Sequence, residues 1–257
     1  MSRKTALTLL IAVTVAVILG IFLAPRIPQP LSYHNFADQR SWLGVPRFGD
    51  VVSNVPFAIL GVWGLIFLIR LKPGRCFIDS RERWPYYFVF LGMLLTAFGS
   101  AYYHLAPDNN RLVWDRLPMT IVFMSLVTAM IAERISLPIG LRFLPVLLVI
   151  GIASVILWHL SEVRGEGDLR FYAAVQIYAG LVLLLILLFP PRYTRSSDLV
   201  IVVGFYVLAK ILETFDLRIF NLGHVISGHT LKHLAGALAG YWILRMLQKR
   251  KPLVTKI

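Results

Sequence analysis

Long apolar runs, separated by short polar and basic segments, dominate the chain. A helix needs about 20 mostly apolar residues to cross the hydrocarbon core of a bilayer. Eight runs reach or approach that length, so the pattern predicts eight membrane helices; the fourth and seventh runs are the shortest. The predicted helices cover residues 5–23, 51–69, 86–105, 117–132, 141–160, 171–189, 199–212 and 226–247.

Composition supports an all-α, polytopic membrane bundle. Of the 257 residues, 58% are hydrophobic, and the mean hydropathy of +0.72 excludes most soluble folds. The net charge of +13 could suit a nucleic-acid partner, but the basic residues are unevenly distributed. If the N-terminus lies inside, sixteen Lys and Arg residues fall in inner segments and eight in outer ones. This bias follows the positive-inside rule and predicts two cytoplasmic termini and no nucleic-acid partner.

Three regions are expected along the chain. Residues 1–24 form an N-terminal transmembrane helix; a signal peptide is the alternative, but no convincing small-residue cleavage site follows the apolar stretch. Residues 25–50 mix aromatic and charged side chains, and we expect them to pack over the outer mouth of the bundle. Residues 51–248 form the seven-helix core. The single cysteine, Cys76, excludes an intramolecular disulfide.

The predicted topology brings polar residues from three distant segments to one depth of the membrane. The third helix runs outward and ends at His104, one turn after Ser100. The fourth helix begins just after Asp115, and the eighth begins with His229 and His233, which share a helix face. We therefore expect these five side chains to meet near the outer surface.

This group has the chemistry of a catalytic metal site. Three neutral imidazoles that leave one position open are typical of catalytic zinc, which lowers the pKa of its bound water to near neutrality. Asp115 could orient a ligand or exchange protons, and Ser100 could donate to a developing oxyanion. Taken singly, the same residues suit simpler roles: interfacial histidines, a packing serine and an N-terminal helix cap.

The motifs are, in order, Ser100-x-x-x-His104, Asp115 eleven residues later, and Ser-Gly-His229-Thr-Leu-Lys-His233. With the segment FGDVVSNVPF at 48–57, they resemble the alkaline ceramidase family, whose superfamily includes the adiponectin and progestin receptor proteins. The resemblance covers roughly residues 33–248. It implies a seven-helix core to which the first helix is an addition.

The resemblance also implies a function, namely zinc-dependent cleavage of the amide bond of ceramide-like membrane lipids. It implies that His104, His229 and His233 bind Zn²⁺, and that Ser100, Asp115 and Tyr172 belong to the catalytic site. Tyr172 on its own equally suits an interfacial aromatic belt. The expected partner is the lipid substrate, and no protein partner is evident.

One departure from the family concerns calcium. Eukaryotic alkaline ceramidases bind Ca²⁺ through carboxylates before the first shared helix, and this chain has Arg47 where the last of those acids would fall. Asp38 and Asp50 remain nearby. We interpret this charge reversal as an ion pair between Arg47 and Asp38 or Asp50 that replaces Ca²⁺.

Other polar residues near the outer surface are interpreted as structural. Lys210, Glu213 and Asp216 close the seventh helix, where Lys210 and Glu213 could form an i, i+3 pair. His34 and His224 fall in outer loops and are assigned no role.

Two other functions fit the same scaffold. A lipid-responsive receptor would use the metal structurally, and a transporter would use the histidines as a proton relay along a polar path to the inner face. A zinc protease with an HExxH motif is disfavoured, because no glutamate follows either histidine of the pair in that register.

Overall fold

A computed structural model of the protein describes residues 3–72 and 74–253, which form helices and no β-strand. The all-α prediction is therefore confirmed. Met1 and Ser2 of the predicted N-terminal helix, and Lys256 of the inner basic residues, lie outside these ranges.

Each of the eight apolar runs corresponds to a long helix. Two single 3₁₀ turns, Leu31–His34 and Ser80–Glu82, and two helices of five residues lie between them. In chain order the helices are α1 (Arg3–Leu23), α2 (Phe48–Val52), α3 (Val55–Arg70), α4 (Arg83–Leu105), α5 (Asn109–Arg134), α6 (Leu137–Val163), α7 (Arg170–Leu187), α8 (Asp198–Thr214), α9 (Asp216–Phe220) and α10 (Gly228–Lys249).

The long helices run alternately up and down, so the C-terminus of α4 and the N-terminus of α10 meet at one end of the bundle. We call this the histidine end. Six candidate spans in the described residues are long and apolar enough to cross a membrane, compatible with a multi-pass membrane protein. The surface of the bundle is also apolar, because many large apolar residues of α1, α3, α6 and α7 are exposed. Such a surface suits lipid and not water.

Helix α1 lies at the periphery and packs mainly against α7. The hydroxyls of Thr14 and Tyr178 lie 3.3 Å apart across that contact, within hydrogen-bond distance. At the histidine end, Arg170 donates to the carbonyls of Ile21 and Ala24 at 3.0 and 2.7 Å, satisfying backbone acceptors at the C-terminus of α1. Removing α1 would therefore expose α7 but leave the centre of the bundle covered.

Helix α5 is longer than predicted and corrects one expectation. The sequence placed the start of this helix just after Asp115, but α5 begins at Asn109. The cap is Asp108, whose carboxylate accepts a hydrogen bond from the Arg111 amide at 2.8 Å. Asp115 therefore lies in the second turn, with its side chain buried inside the bundle, and it is not the helix cap.

A buried ionic network ties the chain together at the opposite end. The Arg250 guanidinium forms an ion pair with the Glu133 carboxylate at 2.7 Å and donates to the Cys76 carbonyl at 3.0 Å. It also lies over the rings of Tyr86 and Tyr193 at 5.5 and 4.1 Å. Because a single arginine joins the residues after α10 to α5 and to two loops, this end is closed by a network that is charge-paired and stacked.

Candidate metal centre

The three predicted histidines meet at the histidine end. The candidate ligand nitrogens of His104, His229 and His233 all lie within 4.8 Å of one another, and all three side chains are buried. The Nε2 atoms of His104 and His229 are 3.2 Å apart. The convergence predicted from topology is therefore confirmed, and the cluster could hold a metal ion.

The distances suit a tetrahedral ion. With Zn–N bonds of about 2.0–2.1 Å, two nitrogens on one tetrahedral zinc lie about 3.3 Å apart. The separation of 3.2 Å between His104 and His229 matches that edge. His233 lies within 4.8 Å of both, so a movement of about 1–2 Å would complete a three-nitrogen face.

Ser53, which the sequence analysis missed, orients His233. Its hydroxyl lies 2.8 Å from His233 Nδ1 and donates its own proton to the Asp50 carbonyl at 3.1 Å. Because that proton is used, Ser53 accepts from Nδ1–H, which leaves the lone pair of Nε2 free. Such a hydrogen bond from the outer nitrogen is typical of metal-bound histidines. The Ser53-Asn54 pair in the 48–57 segment was the available signal.

The segment before α2 covers the centre. The Phe36 ring packs edge-on against His104 and His229, with centroids 4.6 and 4.4 Å apart. His34, to which the sequence assigned no role, bridges the Tyr103 hydroxyl at 2.8 Å and Asn109 at 2.9 Å. The aromatic side chains therefore exclude water from the histidines on this side. Within residues 3–72 and 74–253, the buried Nδ1 of His104 has no hydrogen-bond partner.

Ser100 and Asp115 lie together beside the histidines. Both are buried and form part of one cavity wall with His233. The close approach of the two helices depends on Gly99, because an added Cβ there would lie 1.9 Å from the Trp114 carbonyl oxygen. A glycine on α4 thus lets the backbone of α5 approach closely. Ser100, which follows Gly99, and Asp115, which follows Trp114, are brought towards each other as a result.

A cavity begins at this polar cluster, and Ser100, Asp115 and His233 form part of its wall. Away from the histidines the wall is apolar, with Leu126 and Ile243 among its residues. A second cavity shares Asp115 with the first and reaches the half-exposed apolar side chains of α7. The combined space has a polar end and long apolar walls, which suits an amphiphile.

Lys232 is a second residue that the sequence analysis missed. It is part of both cavity walls, and its ammonium donates to the Glu213 carboxylate at 2.6 Å. The predicted pair of Lys210 and Glu213 also forms, at 3.0 Å, so two lysines share one carboxylate. Asp216 accepts a hydrogen bond from the His229 amide at 2.7 Å and so fixes the first turn of α10.

The predicted ion pair of Arg47 is wrong. The Arg47 guanidinium donates to the carbonyls of His104 and Leu105 at 2.8 and 3.3 Å, at the C-terminus of α4. Asp38 pairs instead with Arg40 at 2.6 Å, and the hydrogen bonds from Arg40 lower the pKa of Asp38. Arg47 binds the C-terminus of α4 because the unpaired carbonyls there and the negative end of the helix dipole attract a cation.

Asp50 also has other partners than Arg47. Its carboxylate accepts from the hydroxyls of Thr230 at 2.7 Å and Ser227 at 3.3 Å. These bonds connect α2 to the N-terminus of α10, where a buried carboxylate is favoured by the helix dipole. Among the described residues, Arg47 therefore has no carboxylate partner, and Asp38 and Asp50 are held separately.

Tyr172 lies beside the second cavity, next to an unexpected arginine. The Arg116 guanidinium lies over the Tyr172 ring at 4.5 Å and over the Trp158 ring at 4.2 Å. Tyr172 and Arg116 are both buried. The structure thus places Tyr172 near Asp115 across the cavity wall and makes it a stacking partner of Arg116.

No protein-family model matches the chain, and no curated protein sequence matches it. The resemblance to alkaline ceramidases therefore rests on the motifs quoted above and stays a prediction. The geometry itself supports two statements: the chain is a helical bundle of membrane type, and three buried histidines form a site that could hold a metal ion.

Proposed function

We propose that this protein is an integral-membrane, zinc-dependent hydrolase that cleaves the amide bond of a ceramide-like lipid. One observation supports it above all. The three-histidine cluster lies beside the Ser100–Asp115 pair at the polar end of a cavity with long apolar walls.

His104, His229 and His233 would hold the ion. The donor set is three imidazoles, which suits zinc better than calcium or magnesium. When bound, the zinc supplies a Lewis acid and lowers the pKa of water. The protein's own groups then orient the substrate and move protons.

Ser100 and Asp115 are the proposed catalytic residues. The Ser100 hydroxyl has one proton, which it can donate to Asp115 or to a substrate carbonyl oxygen that gains charge. Asp115 can accept a proton from the attacking water and deliver it to the leaving nitrogen. Water adds its oxygen to the carbonyl carbon, the C–N bond breaks, and the amine leaves with the transferred proton.

The apolar walls indicate how the substrate binds. The acyl chain would lie along the cavity between α5, α8 and α10, away from the histidines. This wall also disfavours the transporter alternative, which requires a polar path from the histidines to the opposite end. Below the polar cluster the cavity meets Met93, Leu126 and Ile243.

The test uses purified protein in lipid nanodiscs. Metal content per mole is measured by mass spectrometry, and hydrolysis is measured with N-palmitoylsphingosine and with its ester analogue. We expect about one zinc per chain and release of palmitate from the amide. His229→Ala should lose both, whereas His159→Gln, a histidine on α6 outside the cluster, should keep both. Undiminished hydrolysis by His229→Ala would refute the proposal.

A further inference from the structure

The second cavity contains a cation that the proposed chemistry does not use. Arg116 forms part of its wall and is 5% exposed. One terminal nitrogen, Nη2, donates to the Gln29 side chain at 2.6 Å. The other, Nη1, is buried and has no hydrogen-bond partner among the described residues. A buried guanidinium nitrogen without an acceptor is costly, so the position favours a ligand that accepts a hydrogen bond.

The guanidinium is held rigidly in place. Its carbon lies over three rings, those of Trp158, Tyr172 and Tyr33, at 4.2, 4.5 and 5.6 Å. No carboxylate of the described residues forms an ion pair with Arg116 within 4.0 Å. The charge of Arg116 is therefore not cancelled by a direct carboxylate partner.

The whole cavity has an excess of positive charge. Its wall contains three basic residues, Arg116, Lys210 and Lys232, but only two acidic ones, Asp115 and Glu213. Glu213 is shared by the two lysines, at 3.0 and 2.6 Å. Ionisable residues at membrane depth are expensive and usually serve a function. An excess of one positive charge in a partly enclosed site suits a ligand with one negative charge.

The cavity also has an entrance from the side. Ile177, Leu181 and Leu184 of α7 belong to its wall and are 56%, 42% and 51% exposed. Across the gap, the Tyr206 hydroxyl of α8 donates to Gln176 of α7 at 3.3 Å. A lipid could therefore enter between α7 and α8, with its chain against these apolar side chains of α7.

From these contacts we propose that the second cavity is a subsite for the singly charged oxyanion of an amphiphile, a carboxylate or a phosphodiester. This inference rests on the proposed function where it concerns the substrate: the enzyme cleaves neutral amides such as N-palmitoylsphingosine, but it cleaves long-chain acyl amides with an anionic head group faster. Asp115 and Lys232 belong to both cavities, so one molecule can place its amide near the histidines and its oxyanion near Arg116.

The experiment compares three palmitoyl amides in nanodiscs: N-palmitoylglycine (carboxylate), N-palmitoyl-phosphatidylethanolamine (phosphodiester) and N-palmitoylethanolamine (neutral). We expect wild-type kcat/KM to be about 10- to 100-fold higher for one or both anionic amides, the size expected for a charged hydrogen bond. Arg116→Gln should remove that preference. Arg111→Gln, which removes a charge from the same helix outside both cavities, should retain it.

Two further measurements separate the possible failures. Lys210→Gln, at a half-exposed position in the same cavity wall, should reduce the anionic preference by several-fold, and it guards against misfolding of Arg116→Gln. The dissociation constant of hexadecyl methyl phosphate, which has no amide, is measured by tryptophan fluorescence for each variant.

Each result then has one meaning. Equal cleavage of neutral and anionic amides, with no selective effect of Arg116→Gln, overturns the subsite and leaves the hydrolase. Binding of hexadecyl methyl phosphate that weakens about tenfold or more in Arg116→Gln, without cleavage of any amide, supports the subsite and overturns the hydrolase. Binding that is equal in wild type and Arg116→Gln counts against the subsite whatever the amides show.

Discussion

Substitution of Gly99 by alanine tests how the polar pair is assembled. The added Cβ would lie 1.9 Å from the Trp114 carbonyl oxygen and 2.7 Å from the Trp114 carbonyl carbon. Ordinary contact begins at about 3.4 Å, so the backbones of α4 and α5 would have to separate by about 1.5 Å. Neither atom belongs to a flexible side chain that can turn aside.

The separation affects both stability and chemistry. Overpacking of this kind costs about 1–3 kcal/mol, and we expect the upper end because the colliding group is backbone. Ser100 follows Gly99, and Asp115 follows Trp114, so the same movement draws the hydroxyl away from the carboxylate. A displacement of about 1 Å at a catalytic group can reduce the rate about 100-fold. We therefore expect Gly99→Ala to lose stability and to lose about 100-fold in hydrolysis.

Gly204→Ala is the matched control. Gly204 lies inside α8, and an added Cβ there meets no atom within 4 Å. Helix propensity alone should then make the variant more stable by up to about 1 kcal/mol. Both variants are unfolded by detergent titration in mixed micelles and assayed with N-palmitoylsphingosine. If Gly99→Ala is as stable and active as wild type, the close contact of α4 and α5 is wrong.

Three further predictions concern the metal and its cover. Ser53→Ala should weaken zinc binding about 10- to 100-fold without unfolding the bundle, because His233 loses the group that orients it; a chelator competition measures this, and unchanged affinity would contradict the inferred tautomer. Removing zinc with a chelator should lower the unfolding temperature, and added zinc should restore it. Zinc at 100- to 1,000-fold excess over its Kd should raise the free energy of unfolding by about 3–4 kcal/mol, and the same treatment should leave the stability of His229→Ala unchanged. Asp38→Asn should destabilise the protein most above pH about 4, the ordinary pKa of aspartate. The difference in stability between wild type and variant should shrink as the pH falls through the lowered pKa of Asp38 in the folded state. Thermal unfolding between pH 3 and 7 measures this difference, and a difference that grew on acidification would contradict the prediction.

The common level of the three histidines along the bundle could be predicted from the sequence, because hydropathy and alternating direction indicate which helix ends lie together. That is why His104 and His229 were expected together. Rotation and tilt about the helix axes are not contained in the same pattern. The stacking of Arg116 and the bond from Ser53 to His233 depend on those variables, so hydropathy could not reveal them.

The error over Arg47 has a different cause. Opposite charges nearby in sequence suggested an ion pair, but acceptors at a helix C-terminus compete for the same cation. Arg47 reaches the carbonyls of His104 and Leu105, and Arg40 takes Asp38. Charge complementarity in sequence therefore cannot choose between two arginines when backbone acceptors are near. By contrast, the cap at Asp108 had a recognisable signal, since the Pro107-Asp108-Asn109 order is typical of a helix start.

The first turns of α10 explain why the metal cluster and the charged cavity are neighbours. Successive helical residues point about 100° apart. His229 and His233 share one face of α10, so Lys232, one residue earlier than His233, must project from an adjacent face. On that face it meets Glu213 of α8 and the second cavity. The sequence His-Thr-Leu-Lys-His thus places a histidine pair and a partly buried cation on two sides of one helix, and any substrate that spans both cavities must contact both sides.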